Sequence, residues 1–67
     1  MTNLALLREK LNQSGLSPVA MAAAWDISMP TYYKLLSGES EFTASQIQTT
    51  TELFGLTRDE RDAIFFA

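Results

Sequence analysis

Residues 29–37, MPTYYKLLS, place chemically distinct side chains on one side of a predicted helix. At about 100° per residue, Met29, Pro30, Tyr33 and Lys34 fall on the face opposite to the apolar residues of this segment. In the major groove of DNA, lysine can donate to guanine O6 or N7, methionine can pack on a thymine methyl group, and tyrosine can do either. The segment therefore carries side chains that can read base edges, but it brings only one charge, that of Lys34.

The composition excludes several kinds of chemistry. The 67 residues include no cysteine and no histidine, which excludes disulfides, the usual zinc sites and histidine-based catalysis. We interpret Asp59, Glu60 and Asp62 as the first turn of a helix, where carboxylates complement the helix dipole, rather than as a metal site. No nucleophile–base pair can be assembled, so we expect neither an enzyme, nor a cofactor, nor a small-molecule substrate.

The charge and the length bound the partners and the domain count. The net charge is −3, from five Lys or Arg against eight Asp or Glu, and an acidic balance argues mildly against nucleic acid. The absence of cysteines favours a reducing compartment, so we expect a cytoplasmic protein. No stretch approaches the roughly 20 apolar residues of a membrane span, and the length corresponds to a single domain over residues 1–67.

Glycine, proline and capping residues divide the chain into five short helices without strands, so the predicted fold class is all-α. The first helix is predicted over about residues 4–14, and the second opens at Pro18. Asp26 is expected in the turn before the third helix, with the positive φ that Asp tolerates. Other predicted boundaries are the N-caps Thr2 or Asn3, Ser17, Ser28, Thr43 and Thr57, the capping-box partners Gln46 and Glu60, the ends Gly15, Gly38 and Gly55, and a last helix reaching Phe66.

Apolar residues at helical spacing predict the core of the domain. Trp25 and Tyr32 lie on the inward arcs of the second and third helices. Phe65 and Phe66 are adjacent, so one helix cannot bury both against a single core face, and we expect one of them to contact a second subunit. The other residues predicted to face inward are Leu4, Leu7, Leu11, Leu35, Leu36, Ile47, Thr50, Leu53 and Phe54.

The segment GLSPVAMAAAWDISMPTYYKLLSGESEFTASQI resembles the lambda-repressor-like, Cro-type helix-turn-helix family, particularly its short phage-type transcriptional regulators. The elements that carry the resemblance are Ser17, Ala22, Asp26, the Ile27-Ser28 step, Ser37-Gly38, Phe42-Thr43 and the terminal Ile64 to Phe66. The resemblance implies a compact bundle of five helices with a helix-turn-helix. It also implies a sequence-specific regulator that binds a double-stranded DNA operator as a homodimer, with its third helix in the major groove.

The resemblance also assigns roles to individual residues. The family's base-reading positions fall on Met29, Pro30, Tyr33 and Lys34. Its phosphate-contacting positions fall on Ser17, Ser28, Thr31, Ser37 and Thr43, and hydroxyls at helix starts can bind phosphate without formal charge. Phe65 and Phe66 are the candidates for the dimer contact.

Acidic residues stand in a loop that is often basic in the family. Glu39 and Glu41 would repel a DNA backbone, so binding would depend on Lys34, with Lys10 or Arg8 as further candidates. The second hypothesis is therefore an antirepressor-like helix-turn-helix module that binds another repressor protein rather than DNA. Its support is the acidic balance together with an apolar face that suits a protein surface as well as a thymine methyl.

Overall fold

Five α-helices and no strand make up the chain in a computed structural model that describes residues 1–67. The helices span Leu4–Ser14 (α1), Pro18–Trp25 (α2), Met29–Ser37 (α3), Ala44–Phe54 (α4) and Arg58–Phe65 (α5). The all-α prediction is confirmed, and only the end of α5 differs, by one residue, because the backbone of Phe66 has left the helical region. None of the five helices is long and apolar enough to cross a membrane.

Each helix begins at a polar side chain that accepts a backbone N–H from its own first turn. The caps are Asn3, Ser17, Ser28, Thr43 and Thr57, and the last two form the complete capping boxes that the sequence predicts. Short helices leave several N–H groups without partners, and these caps satisfy some of them. Asp26 has φ 57° and is the only residue other than glycine with a positive φ, as predicted.

Nine buried apolar residues form the core: Leu7, Leu11, Met21, Ala22, Trp25, Tyr32, Leu35, Ile64 and Phe65. The prediction that Trp25 and Tyr32 belong to the core is confirmed, since each is only 5% exposed. Thr50 is the one buried polar side chain. The Trp25 Nε1–H donates to Thr50 Oγ1 at 2.9 Å, and this hydrogen bond connects α2 to α4 through the core.

Aromatic rings form a chain from the outside of α3 to α5. The ring centroids of Tyr33 and Tyr32 are 5.4 Å apart, those of Tyr32 and Trp25 5.8 Å, those of Trp25 and Phe42 5.2 Å, and those of Phe42 and Phe65 5.3 Å. Three of these four contacts are edge-to-face, a geometry that aromatic quadrupoles favour. Because Tyr32 packs into this row of rings, the opposite side of α3 turns away from the core.

The prediction that Leu53 faces inward is wrong, since its side chain is 47% exposed. Thr50 marks the buried side of α4, and Leu53 lies about 60° around the helix from it. At the last turn of α4 this offset brings Leu53 to the edge of the core, where it lines a shallow groove with Leu16.

Candidate nucleic-acid interface

The turn at Asp26 fixes the angle between α2 and α3. Asp26 adopts φ 57° and ψ 49°, and the following N–H, that of Ile27, donates to the carbonyl of Ala22 at 3.0 Å. Ala22 is buried, and its small side chain lets the two helices approach closely. The packed rings of Trp25 and Tyr32 hold the same two helices together from inside. The turn and this contact together set the direction in which α3 presents its outer side.

The outer side of α3 consists of four exposed residues, Pro30, Tyr33, Lys34 and Ser37, which we call the α3 stripe. Tyr33 is 59% exposed, and the buried ring of Tyr32 supports its ring edge-on at an interplanar angle of 88°. Burial, reinforced by the neighbouring Tyr33, raises the pKa of Tyr32, so that phenol stays neutral below about pH 10. The ammonium group of Lys34 takes part in neither salt bridge of the chain.

Met29 occupies a different position from the other three residues predicted to read bases. It is the first residue of α3, is half-buried, and packs against the core. The structure therefore brings Pro30, Tyr33 and Lys34 together on one surface and places Met29 at the boundary between that surface and the core.

Three of the hydroxyls predicted to contact phosphate are the exposed N-caps of α2, α3 and α4. Ser17, Ser28 and Thr43 each accept the backbone N–H of the third residue after them, at 3.1, 3.4 and 3.2 Å. A hydroxyl that accepts a hydrogen bond retains its own proton for donation. These caps can therefore still donate to an external acceptor such as a phosphate oxygen.

The two remaining hydroxyls are less available. Thr31 Oγ1 lies 3.0 Å from Ser28 Oγ, so this pair shares one of its protons internally and keeps one. Ser37 Oγ donates to the carbonyl of Lys34 at 3.1 Å, which engages its only proton. Ser37 can therefore only accept while that bond persists.

Salt bridges remove two of the five cations from consideration as free charges. Lys10 Nζ lies 3.2 Å from Glu60 Oε2 and joins α1 to α5, and Arg61 lies 2.8 Å from Asp62. The backbone N–H of Thr57, followed by Lys10, holds the pKa of Glu60 below its usual range. The sequence analysis named Lys10 and Arg8 as further candidates for contact with the DNA backbone. Of these two, Lys10 is engaged in a salt bridge with Glu60.

Arg8 lies beside the C-terminal end of α3. Its guanidinium donates to the carbonyl of Leu36 at 2.6 Å, and it lines a groove of about 530 Å³ with Tyr33 and Ser37. A guanidinium has five N–H donors, so most of them remain available for another acceptor. The sequence offers no signal for this contact, because it joins residues on different helices and depends on how α1 packs against α3.

Three exposed carboxylates border α3 along the chain. Asp26 precedes the helix, and Glu39 and Glu41 follow it. They oppose the charges of Lys34 and Arg8, so the neighbourhood of the α3 stripe has no excess of positive charge. Any attraction of this surface for DNA must therefore rest largely on neutral donors and shape.

An apolar groove of about 560 Å³ runs along α4 from Ala44 to Glu52, and we call it the Phe66 groove. Its apolar lining comes from Phe42, Ala44, Ile47 and Phe66, and Phe66 is 60% exposed. The guanidinium of Arg61 stands 5.8 Å from the centre of the Phe66 ring. Phe65 lies in the core, only 3% exposed, so of the two candidate dimer residues Phe66 alone is available to a second subunit.

A family model described as a helix-turn-helix domain matches residues 2–64 of the chain. No curated protein and no solved structure gives a significant match.

Proposed function

Because the chain belongs to the helix-turn-helix domain family, we propose that it is a DNA-binding transcriptional regulator that lays α3 in the major groove of a double-stranded operator. The observation that carries the proposal is the α3 stripe, an exposed surface on the second helix of the pair that the core does not use. In a helix of this kind the outward residues of the first turns meet the base edges. Pro30, Tyr33 and Lys34 are the base-reading residues, and Met29 contributes at their edge.

In this proposal, the contacts with the DNA backbone come mainly from neutral groups of the protein. The N-cap hydroxyls of Ser17, Ser28 and Thr43 donate to phosphate oxygens, and Thr31 acts with Ser28. Arg8 adds a second cation near the C-terminal end of α3. Ser37 is a weaker candidate, because its hydroxyl proton is engaged within the helix.

The proposal also specifies a cytoplasmic phage repressor or Cro-type regulator that acts as a homodimer. Two copies meet through the Phe66 groove, and the two-fold axis of the dimer matches a palindromic operator. The groove is lined by Phe42 and Ala44, the residues on either side of Thr43. The dimer contact and a phosphate contact would therefore share the start of α4.

Selection of duplexes from a random pool, followed by fluorescence anisotropy at several salt concentrations, tests the function. We expect enrichment at low salt, and a slope of log affinity against log salt of about −3 to −4 for a dimer in which the two cations near α3, Lys34 and Arg8, displace counterions in each protomer. Lys34→Ala should weaken binding and make the slope shallower by about 0.9 per protomer. Arg58→Ala is the matched control, since it removes an exposed cation from α5, and its slope should stay that of the unmodified protein.

The three carboxylates around α3 favour one competing function, an antirepressor-like module that binds another repressor. In that case no duplex would be enriched at low salt, and the protein would instead form a complex with a purified basic helix-turn-helix repressor. Glu39→Lys separates the two functions, because the added positive charge strengthens DNA binding but weakens binding to a basic protein surface.

A further inference from the structure

The first turn of α3 offers the major groove almost no hydrogen-bonding capacity. Pro30 has no donor in its side chain and no backbone N–H, and Met29 has only a weakly accepting thioether. Thr31 is half-buried, with its hydroxyl paired to that of Ser28. On the next turn Tyr33 is 59% exposed, and its ring carries a single hydroxyl. The part of the helix that enters the groove is therefore predominantly apolar.

An apolar surface favours base pairs that present an apolar group in the major groove over those that present only polar groups. In the major groove the only alkyl group of a standard base pair is the C5-methyl of thymine, and the other distinguishing groups are hydrogen-bond donors and acceptors. Covering those polar edges with Pro30 or with the ring face of Tyr33 would remove them from water without a replacement hydrogen bond, which is unfavourable. A methyl group loses nothing in the same position and gains burial.

We infer that α3 recognises pyrimidine C5-methyl groups, and that its operator half-site carries thymines at the positions facing Pro30 and Tyr33. The inference rests on the proposed function, since it concerns the sequence that the same surface reads. Three residues of helix advance about 4.5 Å, little more than one base step of about 3.4 Å, so Pro30 and Tyr33 face adjacent or nearly adjacent base pairs. Lys34, whose ammonium is in neither salt bridge, marks a guanine beside them.

Modified bases test this inference in the enriched duplex. Deoxyuridine replaces each thymine in turn, which removes the methyl group and leaves every hydrogen-bonding group in place. We expect a loss of about fourfold in affinity at each thymine that is read, the factor for burying one methyl-sized group. Replacing the same T·A pair by 5-methylcytosine·G keeps the methyl and changes the polar edge, and it should bind within about twofold of the original. Unmethylated C·G should bind as weakly as the deoxyuridine duplex.

Variants of α3 connect the effect to particular side chains. In the Pro30→Ser variant, deoxyuridine should no longer lower the affinity at one thymine of the half-site. In the Tyr33→Ala variant, it should no longer lower the affinity at a neighbouring thymine. Leu53→Ser is the matched control, because it removes an exposed apolar side chain from α4 and should leave every deoxyuridine effect unchanged.

The outcomes separate the inference from the proposed function. If no duplex is enriched, the proposed function fails and the inference fails with it. If duplexes are enriched but tolerate deoxyuridine everywhere, or reject 5-methylcytosine as strongly as cytosine, methyl recognition is overturned and DNA binding stands. Loss of affinity with deoxyuridine that persists in both α3 variants would also overturn the assignment.

Discussion

Thr50 has no exposed surface, yet its hydroxyl satisfies two polar groups inside an apolar core. It accepts the indole N–H of Trp25 and donates to the carbonyl of Gln46 at 2.8 Å. The neighbouring Thr51 makes the same kind of bond to the carbonyl of Ile47 but has no partner on another helix. At the residue scale, these two threonines allow the inter-helix bond to be tested alone.

Thr50→Val should destabilise the domain by about 1–3 kcal/mol, although valine has nearly the same shape, because the indole N–H would be left buried without an acceptor. Thr51→Val removes only a bond within α4, and should change the free energy of unfolding by less than about 0.5 kcal/mol. Urea denaturation of both variants measures the difference. Equal effects of the two substitutions would mean that the bond to Trp25 does not stabilise the fold.

The faces of α3 could be predicted because periodicity alone separates Tyr32 and Leu35 from Pro30 and Tyr33, and the prediction that Tyr32 is buried is confirmed. The burial of residues at the edge of a helix face could not be predicted in this way. Met29 and Leu53 lie where a small rotation of the helix, or the reach of a neighbour, decides between core and surface. The sequence likewise contains nothing that pairs Trp25 with Thr50, since the bond spans 25 residues.

At the scale of the elements, the turn between α2 and α3 depends on one residue in the left-handed region. Asp26→Val should destabilise the domain by about 1–2 kcal/mol, because a β-branched side chain clashes with the backbone at positive φ. Asp26→Asn keeps the tolerance for this conformation, and should stay within about 0.5 kcal/mol of the unmodified protein. Thermal melts of the two variants provide the comparison, and a valine variant as stable as the asparagine one would contradict this account of the turn.

The capping box of α5 predicts a dependence of stability on pH. The pKa of Glu60 is lowered in the folded protein, so its contribution is fully present above the ordinary glutamate value of about 4.3, and is lost as the pH falls through the folded value. Glu60→Gln keeps an acceptor for the N–H of Thr57, as Gln46 does for Thr43 in α4, but it loses the charge. The variant's denaturation midpoint should fall less steeply below about pH 4.3. Parallel pH curves for the two proteins would count against a role for this carboxylate.

Helix boundaries could be predicted almost to the residue because the interactions that set them are local. A cap, its N–H donor three residues later and a left-handed terminal residue all lie within one turn of each other. How the helices pack is not encoded so locally. The contact of Arg8 with the end of α3 and the Phe66 groove both appear only when distant segments come together.

At the scale of the whole molecule, one apolar groove and the exposed ring of Phe66 are the surface proposed for a second copy. Phe66→Ser should shift the protein from dimer toward monomer in sedimentation equilibrium, and should weaken binding to a palindromic operator more than to a half-site. Leu53→Ser removes a comparable exposed apolar side chain elsewhere and should leave the mass unchanged. An unmodified protein that is already monomeric at high micromolar concentration would rule out this contact in free solution.

The aromatic chain gives the molecule an optical property. Trp25 is the single tryptophan, and it stands between Tyr32 and Phe42 in the core, with Tyr33 at the exposed end of the chain. Light absorbed by the two tyrosines is transferred to the indole while the rings are this close, and the emission then comes mainly from Trp25. Unfolding moves the indole into water, which shifts its emission to longer wavelengths, and lets the rings move apart, which increases the tyrosine contribution. A single spectrum of the unlabelled protein therefore reports whether α2 and α3 are packed together.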